Sequence, residues 1–162
     1  MAIPVTQVVA HWAHAFPFFS MSSSDFYSLV EQLIKEHELP NVKIERAKNK
    51  EGGLLSASRE YLRVRHGDLI YDICAMPFGK DFCVSSWLYE TEGIMRQFLK
   101  FTKAGEYLSE RAAKRTFYQA DEEAMFKSCV HNALLEATEK MTEGKGMRSL
   151  TDTERMLKEG GM

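Results

Sequence analysis

Tyr61, Arg63, Arg65, Asp72, Trp87 and Tyr89 all lie in one patterned stretch, EYLRVRHGDLIYDICAMPFGKDFCVSSWLYE, residues 60 to 90. An arginine and an aspartate that can pair, set among flat aromatic rings, are what ligand and peptide pockets use to orient and stack what they bind. Whether the six residues meet depends on strand register. With Gly67-Asp68 as a two-residue hairpin loop, Arg63 faces Asp72 and Leu62 faces Ile73. With Gly79-Lys80 as the next loop, Asp72 lies beside Trp87 and Tyr71 beside Leu88. This register sorts the side chains by face. Leu62, Val64, Tyr71, Ile73, Val84 and Leu88 share one, and Tyr61, Arg63, Arg65, Asp72, Trp87 and Tyr89 share the other. A slip of one residue would turn the apolar set over. The same pattern also fits ordinary sheet surface, or a second core layer in which helices cover Ile70, Met76 and Trp87.

Other chemistry-bearing residues are less well supported. His11 and His14 are three apart and share a side if the segment is helical, but zinc takes three or four protein ligands and no carboxylate or cysteine nearby completes a site. No metal centre is expected. Cys129 falls on an apolar helical stripe, and Cys74 and Cys83 sit within or near a hairpin with no assignable base, so none reads as a nucleophile. Gly52-Gly53 and Gly160-Gly161 match neither glycine-rich phosphate loop, and no cofactor is expected. In REYLRVRHG, Arg59, Tyr61, Arg63, Arg65 and His66 interleave cations with an aromatic ring as single-strand nucleic-acid binders do; Asp68 and Asp72 offset the charge. Residues 93–104 read as a basic amphipathic helix. Arg96, Lys100 and Lys103 stand opposite an apolar arc containing Phe98 and Phe101, the form of an interfacial membrane helix or of a helix that docks in a partner's groove.

Composition narrows the classes. The 162 residues favour one domain spanning 1–162. A hydrophobic fraction of 44% with 27% charged residues is that of a globular chain able to bury a core. The formal net charge of −2 leaves nucleic acid or an acidic substrate dependent on a local basic patch. The three cysteines form no C-x-x-C pair, and the N-terminal stretch lacks a basic n-region and is broken by Pro4 and Pro17. Reduced thiols and a cytoplasmic location are the expectation. No window approaches the roughly 20 apolar residues of a spanning helix.

The elements follow from periodicity. Val5, Val8, Val9, Trp12 and Phe16 fit one side of a short N-terminal helix. A second helix is expected after SMSSSD, capped by Ser24, striped by Phe26, Leu29, Val30, Leu33 and Ile34, and ending near Leu39 before Pro40. A first strand is expected at about residues 42 to 48, followed by the strands of the opening stretch. The chain then reads as helical to its end. The longest stripe runs from a cap at Asp121 to about Thr142, and a Thr151…Glu154 capping box precedes a last short helix.

The expected architecture is α+β: a four-stranded antiparallel β-meander over about residues 42 to 89, flanked by N-terminal helices and a helical C-terminal third. The expected function is a non-catalytic interaction module, a subunit of a larger assembly or a homo-oligomer, whose second sheet face meets a protein partner or another copy of the chain. A small-molecule site or enzyme on the Arg63/Asp72/Trp87 face is the alternative reading, and peripheral membrane association through the basic helix is a third.

Overall fold

The computed structural model describes residues 8–50, 58–91 and 116–160. Their elements are β1 (Val8–Phe16), α1 (Ser23–Glu36), β2 (Val42–Lys50), β3 (Ser58–His66), β4 (Leu69–Phe78), β5 (Asp81–Glu90), α2 (Phe117–Thr142), α3 (Asp152–Arg155) and β6 (Lys158–Glu159). The expected meander is present as β2 to β5, joined at Gly67-Asp68 and Gly79-Lys80. Gly67 and Gly79 take φ of 57° and 63°, the left-handed backbone that these tight turns require and glycine adopts without steric cost. Arg63 pairs with Asp72, Leu62 with Ile73, Asp72 with Trp87 and Tyr71 with Leu88, as the alternation implies.

The sheet is larger than four strands. Its order is β2-β3-β4-β5-β1-β6, with six strands and every pairing antiparallel. The N-terminal helix expected over residues 5 to 16 is instead β1 over its described part, and among the described residues α1 is the one helix before the meander. VVAHWAHAF carries both periods: Val8, Val9, Trp12 and Phe16 fit a helical side, whereas Ala10, Trp12 and Phe16 alternate as a strand. The exposed edge of β5 decides between them, because pairing Phe16 with Phe82 through to Ala10 with Leu88 satisfies the backbone of both strands. It also buries Ala10, Trp12 and Phe16 in the core.

α1 and α2 lie on the face that carries Leu62, Val64, Tyr71, Ile73, Val84 and Leu88. Phe26 of α1 meets Phe82 edge to face at 5.8 Å, and Phe126 of α2 meets Tyr71 at 6.3 Å. The cap of α1 is Ser22, two residues before the expected Ser24; its hydroxyl accepts from the Asp25 N–H at 3.0 Å, and the helix ends at Glu36 rather than near Leu39. α2 begins before Asp121 because Thr116 and Gln119 form a reciprocal capping box, an arrangement that satisfies two free N–H groups at once. The Thr151…Glu154 box caps α3 as expected, but the tail then becomes strand β6.

One side chain stitches the sheet where it forks. The β3–β4 ladder stops at Leu62–Ile73, so Glu60 and Ala75, the next pair able to exchange hydrogen bonds, are separated. The Tyr27 hydroxyl from α1 stands between them, donating to the Glu60 carbonyl at 2.7 Å and accepting from the Ala75 N–H at 3.0 Å. Tyr27→Phe should cost about 1–3 kcal/mol in chemical denaturation, since it leaves the buried Ala75 N–H without its acceptor. A cost near zero would show that the fork closes by direct strand pairing.

Candidate functional site

The face of the sheet turned away from α1 and α2 carries a charge network laid across neighbouring strands. Strand alternation points Arg63 of β3 and Asp72 of β4 to this face, and their register sets them side by side. Arg63 grips Asp72 with two parallel bonds, Nε to Oδ1 at 2.7 Å and Nη2 to Oδ2 at 2.8 Å. Tyr89 of β5, opposite Ile70 and diagonal to Asp72, donates its hydroxyl to Oδ2 at 2.9 Å. Asp72 and Tyr89 are each only 3% exposed. Burial pushes the Tyr89 hydroxyl well above the usual phenol range, reinforced by the neighbouring Asp72 charge, so Tyr89 stays a donor. The Arg63 guanidinium is held charged by its bond to Asp72.

The network continues outward to β2. Arg65 Nε bonds Glu45 Oε1 at 2.8 Å, and that bond holds the Glu45 carboxyl below the usual range. Lys43 approaches the same carboxylate at 3.8 Å. Arg63 and Arg65 are thus each matched by a carboxylate of this chain, which offsets two of the cations in REYLRVRHG.

Trp87 is half-buried on β5 and stacks on His11 of β1 with ring centroids 5.2 Å apart and planes inclined by 16°. His11 Nδ1 lies 2.9 Å from the Gly160 carbonyl, placed to donate to it. Periodicity alone overlooks this stack, because it assigns His11 to a helix; the alternation of Ala10, Trp12 and Phe16 is the signal that places it on the second face. The same change separates the two histidines. Adjacent odd and even positions of a strand point to opposite faces, so His11 stacks on Trp87 while His14 meets Phe16 edge to face at 4.8 Å. Among the described residues no cluster of three or more histidine, cysteine or acidic residues is arranged to hold a metal ion.

The six predicted residues are therefore on one face but not equivalent. Tyr61, Arg63, Arg65 and Trp87 are partly accessible, whereas Asp72 and Tyr89 are buried and act by holding Arg63. Arg96, Phe98, Lys100, Phe101 and Lys103 of the expected basic helix lie outside the described residues. A cleft of about 510 Å³ lies elsewhere, between the end of α2 and residues 147 to 150. Two of its lining charges are matched internally: Arg148 holds Glu154 with two bonds, and Arg155 holds Glu139.

On the helix-covered side, His131 of α2 is 6% exposed, with Nε2 donating to the Arg155 carbonyl and Nδ1 3.5 Å from the Tyr71 hydroxyl. Burial lowers its pKa, and that of His14, below the ordinary 6.5. Below that value the unfolded chain binds protons that the folded chain does not, so stability falls as pH drops through the ordinary imidazole range and is fully present above it. Urea midpoints between about pH 8 and pH 5 should show this slope, and His131→Gln should flatten it. A slope unchanged by His131→Gln would assign the titration to other groups.

The fold defines an α+β protein built on a six-stranded antiparallel sheet with its helices α1 and α2 on one face. Comparison of the chain with family models, curated proteins and solved structures finds no match.

Proposed function

We propose that the chain is a non-catalytic interaction protein that meets a protein partner, or another copy of itself, through the Tyr61/Arg63/Arg65/Trp87 part of its second sheet face. The observation that supports this reading is the closed Arg63–Asp72–Tyr89 network. Asp72 Oδ1 takes Arg63 Nε, and Oδ2 takes both Arg63 Nη2 and the Tyr89 hydroxyl, so the carboxylate is engaged as an acceptor and poorly placed to act as a base. Burial also pushes the Cys74 thiol up, leaving it protonated and weakly nucleophilic at neutral pH. What the network does achieve is rigidity. It holds an arginine beside an aromatic surface, and tryptophan, tyrosine and arginine are the residue types that dominate binding hot spots. The enzyme form of the alternative reading would need a free acid, base or nucleophile on this face, and the Asp72 geometry argues against its main candidate.

Sedimentation of wild type and Trp87→Ala over a range of concentrations tests the self-association form of this reading. The wild type should associate, and Trp87→Ala should weaken association by about 2 kcal/mol, roughly thirtyfold in Kd, with the fold retained. A strongly destabilised Trp87→Ala monomer would show instead that Trp87 serves the fold, and the assignment of this face to a partner would fail.

A further inference from the structure

Strand register brings three sulfur-bearing side chains together on the second sheet face, toward the β4–β5 turn. Met76 stands opposite Cys83 and Cys74 opposite Ser85, which leaves Cys74 diagonal to Cys83. By the alternation of both strands, all three point to the face that carries Asp72 and Trp87. Directly opposite side chains have Cβ atoms about 5 Å apart, while diagonal neighbours and alternate residues of one strand are about 7 Å apart. Cys74 is 6% exposed, whereas Cys83 and Met76 are half-buried and leave the patch open to a small ion.

Spacing and softness decide what these sulfurs can hold. A disulfide needs Cβ atoms about 3.5–4.5 Å apart and an S–S bond of about 2 Å, closer than a diagonal strand pair supplies. A metal ion between two thiolates, with metal–sulfur bonds of about 2.3 Å, lets the sulfurs stand up to about 4.6 Å apart. Zinc takes three or four nitrogen, thiolate or carboxylate ligands, and among the described residues no third histidine, cysteine or acidic group completes such a set. The neighbour the register supplies is instead the Met76 thioether, a soft neutral donor that favours Cu(I). Charge fits as well. Burial pushes the Cys74 thiol up, and the Arg59 guanidinium of β3 opposes that shift, so a cation stands ready to offset the net negative charge of two thiolates on a monovalent ion.

We infer that Cys74, Cys83 and Met76 bind one Cu(I) ion, the cysteines as thiolates and the methionine through its thioether. Binding breaks both S–H bonds and releases two protons to solvent, and neither copper nor sulfur changes oxidation state. The site shares a face with the proposed partner contact but does not use Trp87, Arg63 or Arg65, and it stands whether or not that contact does.

Anaerobic titration of the fully reduced chain with Cu(I), in competition with a chromogenic Cu(I) chelator, tests it. Wild type should take up one equivalent, show near-ultraviolet thiolate-to-copper absorption, and gain Tm, as a ligand of the native state requires. C83S should lose at least about 100-fold in affinity, more than a change outside the coordinating set typically costs. M76L conserves volume, so it should lose about tenfold in affinity while the metal-free chain keeps its Tm, which separates loss of a ligand from loss of the fold. C129S and Trp87→Ala should bind Cu(I) as wild type does. The inference is overturned if wild type leaves Cu(I) with the chelator, if C83S or M76L binds unchanged, or if C129S lowers affinity as much as C83S, which would put the ion on a different pair of thiols.

Discussion

Asp72→Ala should lower the free energy of unfolding by about 3–5 kcal/mol, as breaking one partner out of a buried ion pair does. The size follows from what the substitution leaves behind. Asp72 is 3% exposed and the Arg63 side chain 14%, so the guanidinium would keep a largely desolvated charge with neither of its two bonds to carboxylate. The Tyr89 hydroxyl, itself buried, would lose its acceptor at the same time. Urea unfolding at neutral pH measures the loss directly, and a companion series separates its parts. Tyr89→Phe removes one bond and leaves the pair intact, so it should cost only about 1 kcal/mol. Replacing Arg63 and Asp72 together by apolar residues of similar volume should recover much of the loss, because no unpaired charge then remains. An Asp72→Ala cost below about 1 kcal/mol would place the pair with solvent-screened surface bridges and remove the rigid platform on which the proposed function rests.

Trp12→Ala is the second substitution with a large expected effect, about 3–5 kcal/mol, from emptying a site that a buried indole fills. Trp12 is 2% exposed, its ring meets His131 edge-on at 5.8 Å, and Nε1 donates to the Glu154 carbonyl at 2.6 Å. It therefore joins β1 to α2 and to the C-terminal tail at once. The tail's other attachments lie close by: the Gly160 N–H donates to the Val9 carbonyl, His11 Nδ1 lies beside the Gly160 carbonyl, and His131 Nε2 donates to that of Arg155. Loss of Trp12 should loosen residues 151 to 160 as well as the core, and limited proteolysis should cut that tail in Trp12→Ala under conditions that spare the wild type. A destabilised variant whose tail stays protected would show that β6 is held by β1 backbone pairing alone.

The hairpins, their register and the division of side chains between two faces were legible in the sequence because each depends on neighbours. Gly67 and Gly79 supply the left-handed turns, two-residue loops leave one register for the flanking strands, and alternation of Leu62, Val64, Tyr71 and Ile73 with Arg63, Asp72 and their neighbours assigns the faces. The stripes of α1 and α2 were legible for the same reason, although their starts were set by the caps Ser22 and Thr116 rather than by the first apolar residue. Tertiary structure alone decided residues 8 to 16, where VVAHWAHAF fits either period and the open edge of β5 selects the strand. It also decided that Lys158–Glu159 is a strand, since two residues have no periodicity and become β6 only by pairing with Ala10 and His11. The same holds for the His11–Trp87 stack, the Tyr27 hydroxyl between diverging strands, and the burial that turns Asp72 and Tyr89 from surface groups into supports for Arg63. In each case the partner is distant in the chain. Ladder hydrogen bonds and desolvation depend on that partner, whereas turn geometry and periodicity are properties of a few consecutive residues.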